Sequence, residues 1–113
     1  MDAGAAVVLV RDCTDLLCAQ VVGVGHEEAR RQLKAFTMEG VAKNITCPTL
    51  ITHGDKDTLM SVEGAKKLFN EIGAKDKTLK IYGEEDGGGR IHCSHDYWAH
   101  NLPYMFDWLE QRL

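Results

Sequence analysis

Serine is scarce in this sequence. Of 113 residues only Ser61 and Ser94 are serines, and neither has glycines two positions before and after it. The chain therefore has no Gly-x-Ser-x-Gly turn on which a strand could present a nucleophile. No cysteine or aspartate sits in an equivalent glycine frame. Long apolar runs are also missing: residues 5–10, Ala-Ala-Val-Val-Leu-Val, fall far short of a membrane span. Asp2 is the only charge before that run, so there is no basic leader and a signal peptide is not expected. Basic residues are scattered rather than striped, and the net charge is −4, which argues against nucleic acid as a partner. There is no Ser/Gly-rich linker, repeat or low-complexity tract. The four cysteines, Cys13, Cys18, Cys47 and Cys93, are irregularly spaced; Cys13 and Cys18, with four residues between them, allow a zinc site that nothing completes. They read as reduced thiols of a cytoplasmic protein.

What is present fits one small soluble domain, with 44% apolar and 27% charged residues. Residues 1–27 form a poorly defined N-terminal segment, in which Thr14 or Asp15 could cap a short helix. Residues 28–113 are organised. The pattern over 26–36 is helical, with Ala29, Leu33 and Phe36 on one face and Glu27 and Arg31 paired one turn apart. Residues 47–57, Cys-Pro-Thr-Leu-Ile-Thr-His-Gly-Asp-Lys-Asp, read as a buried parallel strand that ends in a loop bearing Asp55 and Asp57.

A helix is expected next, with Ser61 as N-cap, Ala65, Leu68, Phe69 and Ile72 as its apolar stripe, and Gly73 as the C′ glycine. Residues 78–82 alternate as a second strand, so 48–82 is a strand–helix–strand unit of a parallel sheet. Residues 83–95, with three acids and a triple glycine, read as a flexible polar loop leaving the end of that strand. A final helix follows. Pro103 suits a first turn, which predicts that its regular part begins near Leu102, with Trp108 partly buried.

Both loops open on the same edge of the sheet, which could bring Asp57 and His92 within hydrogen-bond reach. An aspartate that orients a histidine is two-thirds of a nucleophilic triad. Other chemistry is weaker. His92, Cys93, His95 and His100 cluster, with Cys47 or His53 able to approach, yet the paired spacings of a structural zinc site are absent. Glu84, Glu85 and Asp86 lack the EF-hand frame and read as a solvated acidic loop. The triple glycine lacks the lysine and helix start of a phosphate cradle. No metal and no cofactor are expected.

The pattern Pro-x-Leu-x-x-x-Gly-x-x-Asp, then helix, strand, glycine-rich loop, His and terminal helix, resembles the C-terminal end of the α/β-hydrolase fold. The resemblance covers roughly residues 28–113. It implies an α/β fold class: a partial parallel sheet in strand–helix–strand–helix order, corresponding to the C-terminal third of that fold. Carried over, Asp57 matches the acid and His92 the histidine of a Ser-Asp-His triad, while Asp55 sits two positions too early. The loop from Glu84 to Cys93 is similar to that of dihydroxypseudooxynicotine-hydrolase-like and fermentation-respiration-switch-like esterases. The implied activity is hydrolysis of an ester, amide or carbon–carbon bond, with a small-molecule ester or ketone as substrate. The departure is the missing nucleophile, so the chain reads as inactive alone. The alternative is a non-catalytic truncated fragment that acts through self-association or through pairing of an exposed sheet edge with a complementary chain.

Overall fold

The computed structural model describes residues 26–35 and 37–113. The expectations for residues 1–25, Cys13 and Cys18 included, lie outside the described residues. So do Phe36 and the side chains of Ala29 and Leu33, and with them the apolar face expected over 26–36. The backbone is helical over His26–Leu33 (α1). There Arg31 pairs with Glu28, Nε to Oε2 at 2.8 Å, rather than with the expected Glu27.

The sheet is built from β1 (Thr49–Gly54) and β2 (Lys77–Tyr82). They run parallel, in register from Thr49 opposite Lys77 to Gly54 opposite Tyr82. β1 is rich in β-branched residues and carries no acid, lysine or arginine, and Thr49, Leu50 and Ile51 are all buried. That is the profile of a parallel strand covered on both faces. The connection between the strands is α2 (Val62–Glu71). The Ser61 hydroxyl accepts from the Gly64 N–H at 3.0 Å, the N-cap expected from its position. The apolar stripe of α2 packs Leu68 and Ile72 against Ile51, Ala42 and Ala74, with Ala65, Phe69 and Leu79 around them. Burying each of the larger aliphatic side chains contributes about 1.5–3 kcal/mol.

Lys77, the first residue of β2, closes the end of α2. Its ammonium donates to the carbonyls of Phe69 and Ile72, both at 2.8 Å, which suits the negative pole of a helix. Gly73 does not serve as a left-handed C′ residue. It is absent from the positive-φ glycines, and its need is closeness instead: a Cβ there would lie 2.0 Å from the Lys43 carbonyl oxygen.

Period-two alternation sends Thr78, Lys80 and Tyr82 to the face opposite Leu79. That face meets α3 (Trp98–Glu110). The helix begins at Trp98, not near Leu102, and Pro103 lies inside it. The early start is held by contacts that local preference does not encode. The Tyr97 carbonyl accepts from the N–H of both His100 and Asn101, and the Trp98 indole donates to the Cys93 carbonyl at 2.8 Å. Trp108 is buried, at 7% exposed, rather than partly buried. Its indole N–H donates to Thr78 Oγ1 at 3.0 Å, and the Arg112 guanidinium stacks 3.8 Å from its ring. Among the described residues, no helix is long and apolar enough to cross a membrane.

Candidate active site

The loops leaving β1 and β2 cross at Gly54. The N–H of Asp55 donates to the Tyr82 carbonyl at 3.0 Å, and the N–H of Lys56 to the Arg90 carbonyl at 2.9 Å. The approach is so close that a Cβ on Gly54 would sit 2.1 Å from the Arg90 oxygen. Only glycine fits there. This crossing brings two pairs of side chains together.

The first pair is Asp55 and Arg90. The guanidinium donates through Nε and one terminal nitrogen, both at 2.7 Å, to the two carboxylate oxygens. Arg90 holds the Asp55 carboxyl below its ordinary range, against a smaller opposing effect of burial. The sequence reading missed Arg90. Its only signal was a basic residue within an acidic, glycine-rich loop.

The second pair is Asp57 and His92, with Asp57 Oδ2 2.9 Å from His92 Nδ1. Asp57 Oδ1 accepts the N–H groups of Leu59 at 2.8 Å and Met60 at 2.9 Å, so the carboxylate is fixed at both oxygens. The Asp57 side chain is 4% exposed and that of His92 32%. Burial alone would push the Asp57 carboxyl up. The His92 hydrogen bond and the N–H groups of Met60 and Leu59 outweigh it, and the carboxyl titrates below its ordinary range. An ionised carboxylate only accepts, so Nδ1 carries the proton and Nε2 of a neutral His92 is free to take one. The expectation that Asp57 and His92 meet is met in the geometry.

The loop that carries His92 is not the flexible tract expected. Glu84–Asp86 and His92–Ser94 are 3-10 turns. Asp86 pairs with Lys80 and accepts the Gly83 N–H. A Cβ on Gly88 or Gly89 would press into Tyr97 or Tyr82, so these glycines let two rings pack onto the backbone. The Tyr82 hydroxyl donates to Asn101 at 2.8 Å, tying the end of β2 to α3. Burial, then the negative charge that Tyr104 and Asp86 can carry, push its pKa up to about 12. Directly after His92, Cys93 and Ser94 both have φ near 53°. Left-handed backbone at two consecutive non-glycine residues costs energy, and such strain gathers where a neighbouring side chain is held to a set direction. Ser94 is buried and donates to the Gly89 carbonyl at 3.3 Å, so it is a structural serine.

A largely apolar cavity of about 380 Å³ adjoins the pair; Leu50, Met60, Leu68, Leu102 and Met105 line it with Asp57, His92 and His53. In sequence His53 offers only a possible approach to the histidine cluster; its place beside Asp57 appears only in the structure. Among the described residues, no group of three or more His, Cys, Asp or Glu side chains is arranged to hold a metal ion.

Two comparisons bear on this geometry. The family model described as Hydrolase_4, serine aminopeptidase S33, matches residues 27–85, a stretch that contains β1, Asp57, α2 and β2. The monoacylglycerol lipase of Mycolicibacterium smegmatis is 42% identical over 41 residues, covering 36% of this chain and 15% of the lipase. The match thus spans a small part of that relative's length.

Proposed function

This chain belongs to the Hydrolase_4, serine aminopeptidase S33 family of α/β hydrolases, and from that premise we propose that Asp57 and His92 are the acid and histidine of a Ser-Asp-His triad whose serine this sequence does not contain. The observation that carries the reading is the 2.9 Å Asp57–His92 contact, with the carboxylate fixed by two backbone N–H groups. In this role Asp57 sets the tautomer of His92 and stabilises it as imidazolium. His92 is general base toward a hydroxyl nucleophile and then general acid toward the leaving group.

The substrate class is an ester, amide or activated carbon–carbon bond. The lipase likeness favours a carboxylic ester, and the apolar cavity beside the pair suits an acyl group. The loop from Glu84 to Cys93 supports a finer placement, in the branch of dihydroxypseudooxynicotine-hydrolase-like and fermentation-respiration-switch-like esterases. Without a nucleophile and oxyanion donors the pair does little to stabilise a tetrahedral intermediate, so the chain alone is inactive. An assay of the purified chain with an activated short-chain ester, beside His92→Ala, tests this. Equal background in both is expected. Turnover lost only in the variant would overturn the inactivity.

One observation favours a second reading, association. Among the described residues β1 has a hydrogen-bonded neighbour on one side only, and Leu59, Trp98, Leu102 and Phe106 are exposed. A complementary chain could add a strand at that edge and supply the serine. Size-exclusion chromatography that returns a strict monomer at all concentrations would remove self-pairing.

A further inference from the structure

His53 is the buried titratable group that the acid–histidine pair leaves unused. Its Nδ1 lies 2.8 Å from the Gly54 carbonyl oxygen. A carbonyl only accepts, so Nδ1 carries a proton. Its Nε2 is buried and has no hydrogen-bond partner among the described residues. It faces Asp57 Oδ2 at 4.0 Å, with the two side chains 9% and 4% exposed. If His53 were neutral, a bare lone pair would confront a carboxylate oxygen with no donor between them. Buried polar groups left in that state are rare, and each calls for an explanation.

We propose that His53 carries a second proton on Nε2 and is a charged partner of Asp57, so that one carboxylate is shared by two imidazoles, His53 from the strand side and His92 from the loop side. With Nε2 protonated, both ring nitrogens of His53 donate: Nδ1 to the Gly54 carbonyl, Nε2 toward Asp57 Oδ2. A movement of about 1 Å brings the second contact into hydrogen-bond range. Among the described residues, no other ionised group competes. α2 brings Gly64, Ala65 and Leu68 to the shared cavity, and α3 brings Trp98, Asn101, Leu102 and Met105, none of them charged. The 3-10 turn brings His92 and the Cys93 thiol. β2 places Ile81 opposite His53, and the nearby Asp55 is already engaged by Arg90. His53 is thus a positioning residue: it holds the Asp57 carboxylate from below while His92 stays free to exchange its own proton. Its effect on a reaction rests on the reading of Asp57 and His92 as acid and base; its pairing with Asp57 does not.

The test is a long-range ¹H–¹⁵N spectrum of the imidazoles in the ¹⁵N-labelled full chain at neutral pH, with His53 assigned by its loss in His53→Gln. Expected is the pattern of a ring protonated at both nitrogens. A neutral Nδ1–H tautomer for His53 would overturn the proposal. The second arm follows the Nδ1 proton of His92. Its exchange with water is expected to quicken about tenfold or more in His53→Phe, following the loss of a charge-assisted contact, and to be partly restored in His53→Gln, which keeps a donor. Unchanged exchange in a folded His53→Phe would also overturn it. If that variant does not fold, the wild-type spectrum decides alone. A doubly protonated His53 in a chain that never turns over ester, even with a nucleophile-bearing partner supplied, would leave this pairing standing and remove the hydrolase reading.

Discussion

Asp55 and Asp57 lie two residues apart in one loop, and each crosses to the same second loop over a separation of 35 residues. Their partners set them apart. Arg90 keeps its charge at every pH the fold meets, and its planar fork fills both oxygens of Asp55. Nothing in that pair can move a proton. The imidazole of His92 can, because one of its ring nitrogens donates to Asp57 while the other is able to accept a proton. Their surroundings differ as well. Asp55 and Arg90 are 31% and 26% exposed, whereas the Asp57 side chain is 4% exposed beneath a more open His92. One pair can only brace; the other is the working arm of the proposed triad, and the brace stands where it can hold that arm in register. A charged pair bridging two loops is therefore no sign of chemistry by itself. The informative features are a titratable partner, a buried carboxylate and backbone donors on its second oxygen.

The sharpest way to break the comparison is to remove what both pairs share. Gly54→Ala forces a Cβ to within 2.1 Å of the Arg90 carbonyl oxygen. A loss of about 3 kcal/mol or more is expected, since neither backbone segment can give way without unlocking the crossing. Urea unfolding measures it, and the ring resonances of His92 should lose their hydrogen-bonded shift at the same time.

Asp57→Asn comes next, at about 1–3 kcal/mol, because the Leu59 and Met60 N–H groups and His92 lose a charged acceptor. The sign with pH follows from the direction of the shift. The folded Asp57 carboxyl titrates below its ordinary value. Its stabilisation is therefore complete above the unfolded value and is lost as pH falls through the lower, folded one. Urea midpoints measured down the acid range should fall less steeply in Asp57→Asn than in wild type. An equally steep decline would mean that Asp57 is not held as described.

Asp55→Asn should behave differently. Its carboxyl is depressed in the same direction, so the same acid dependence weakens. The cost should be smaller than for Asp57→Asn and should shrink further as salt rises, since this pair is partly open to solvent. The His92 resonances should stay in place. Their loss here would turn the brace into part of the arm.

The smallest expected effect is Ser61→Ala, about 0.5–1 kcal/mol from the lost N-cap of α2. Both loop pairs should survive it, which makes it the control for general destabilisation. A disturbed His92 in this variant would mean that the loops report on global stability rather than on their own contacts.

Much of the architecture is local and was legible. A β-branched run without charge, an N-cap serine with an apolar stripe behind it and an alternating strand name β1, α2 and β2 from residue chemistry alone. The same order put Asp57 and His92 on one edge of the sheet. The misreadings share a cause. The start of α3, the burial of Trp108 and the order of the glycine loop each depend on partners outside their own element: Cys93 for Trp98, Thr78 for Trp108, Tyr97 and Tyr82 for the glycines. The position of Gly73 fits a left-handed cap, but its reason is the Lys43 carbonyl pressed against it.

The sequence by itself determined that this chain would form a strand–helix–strand unit with an acid after one strand and a histidine after the next, and that no glycine-framed serine accompanies them. Those are matters of local propensity and of which residues exist. The resemblance to a known triad already favoured Asp57 over Asp55; only the tertiary structure gave each acid its partner. Spacing left Asp55 and Asp57 two residues apart in one loop, and the crossing at Gly54 sent one to Arg90 and the other to His92. It also placed His53 Nε2 4.0 Å from Asp57 Oδ2, an approach that arises only when a strand end and a loop are folded onto each other and closed from water.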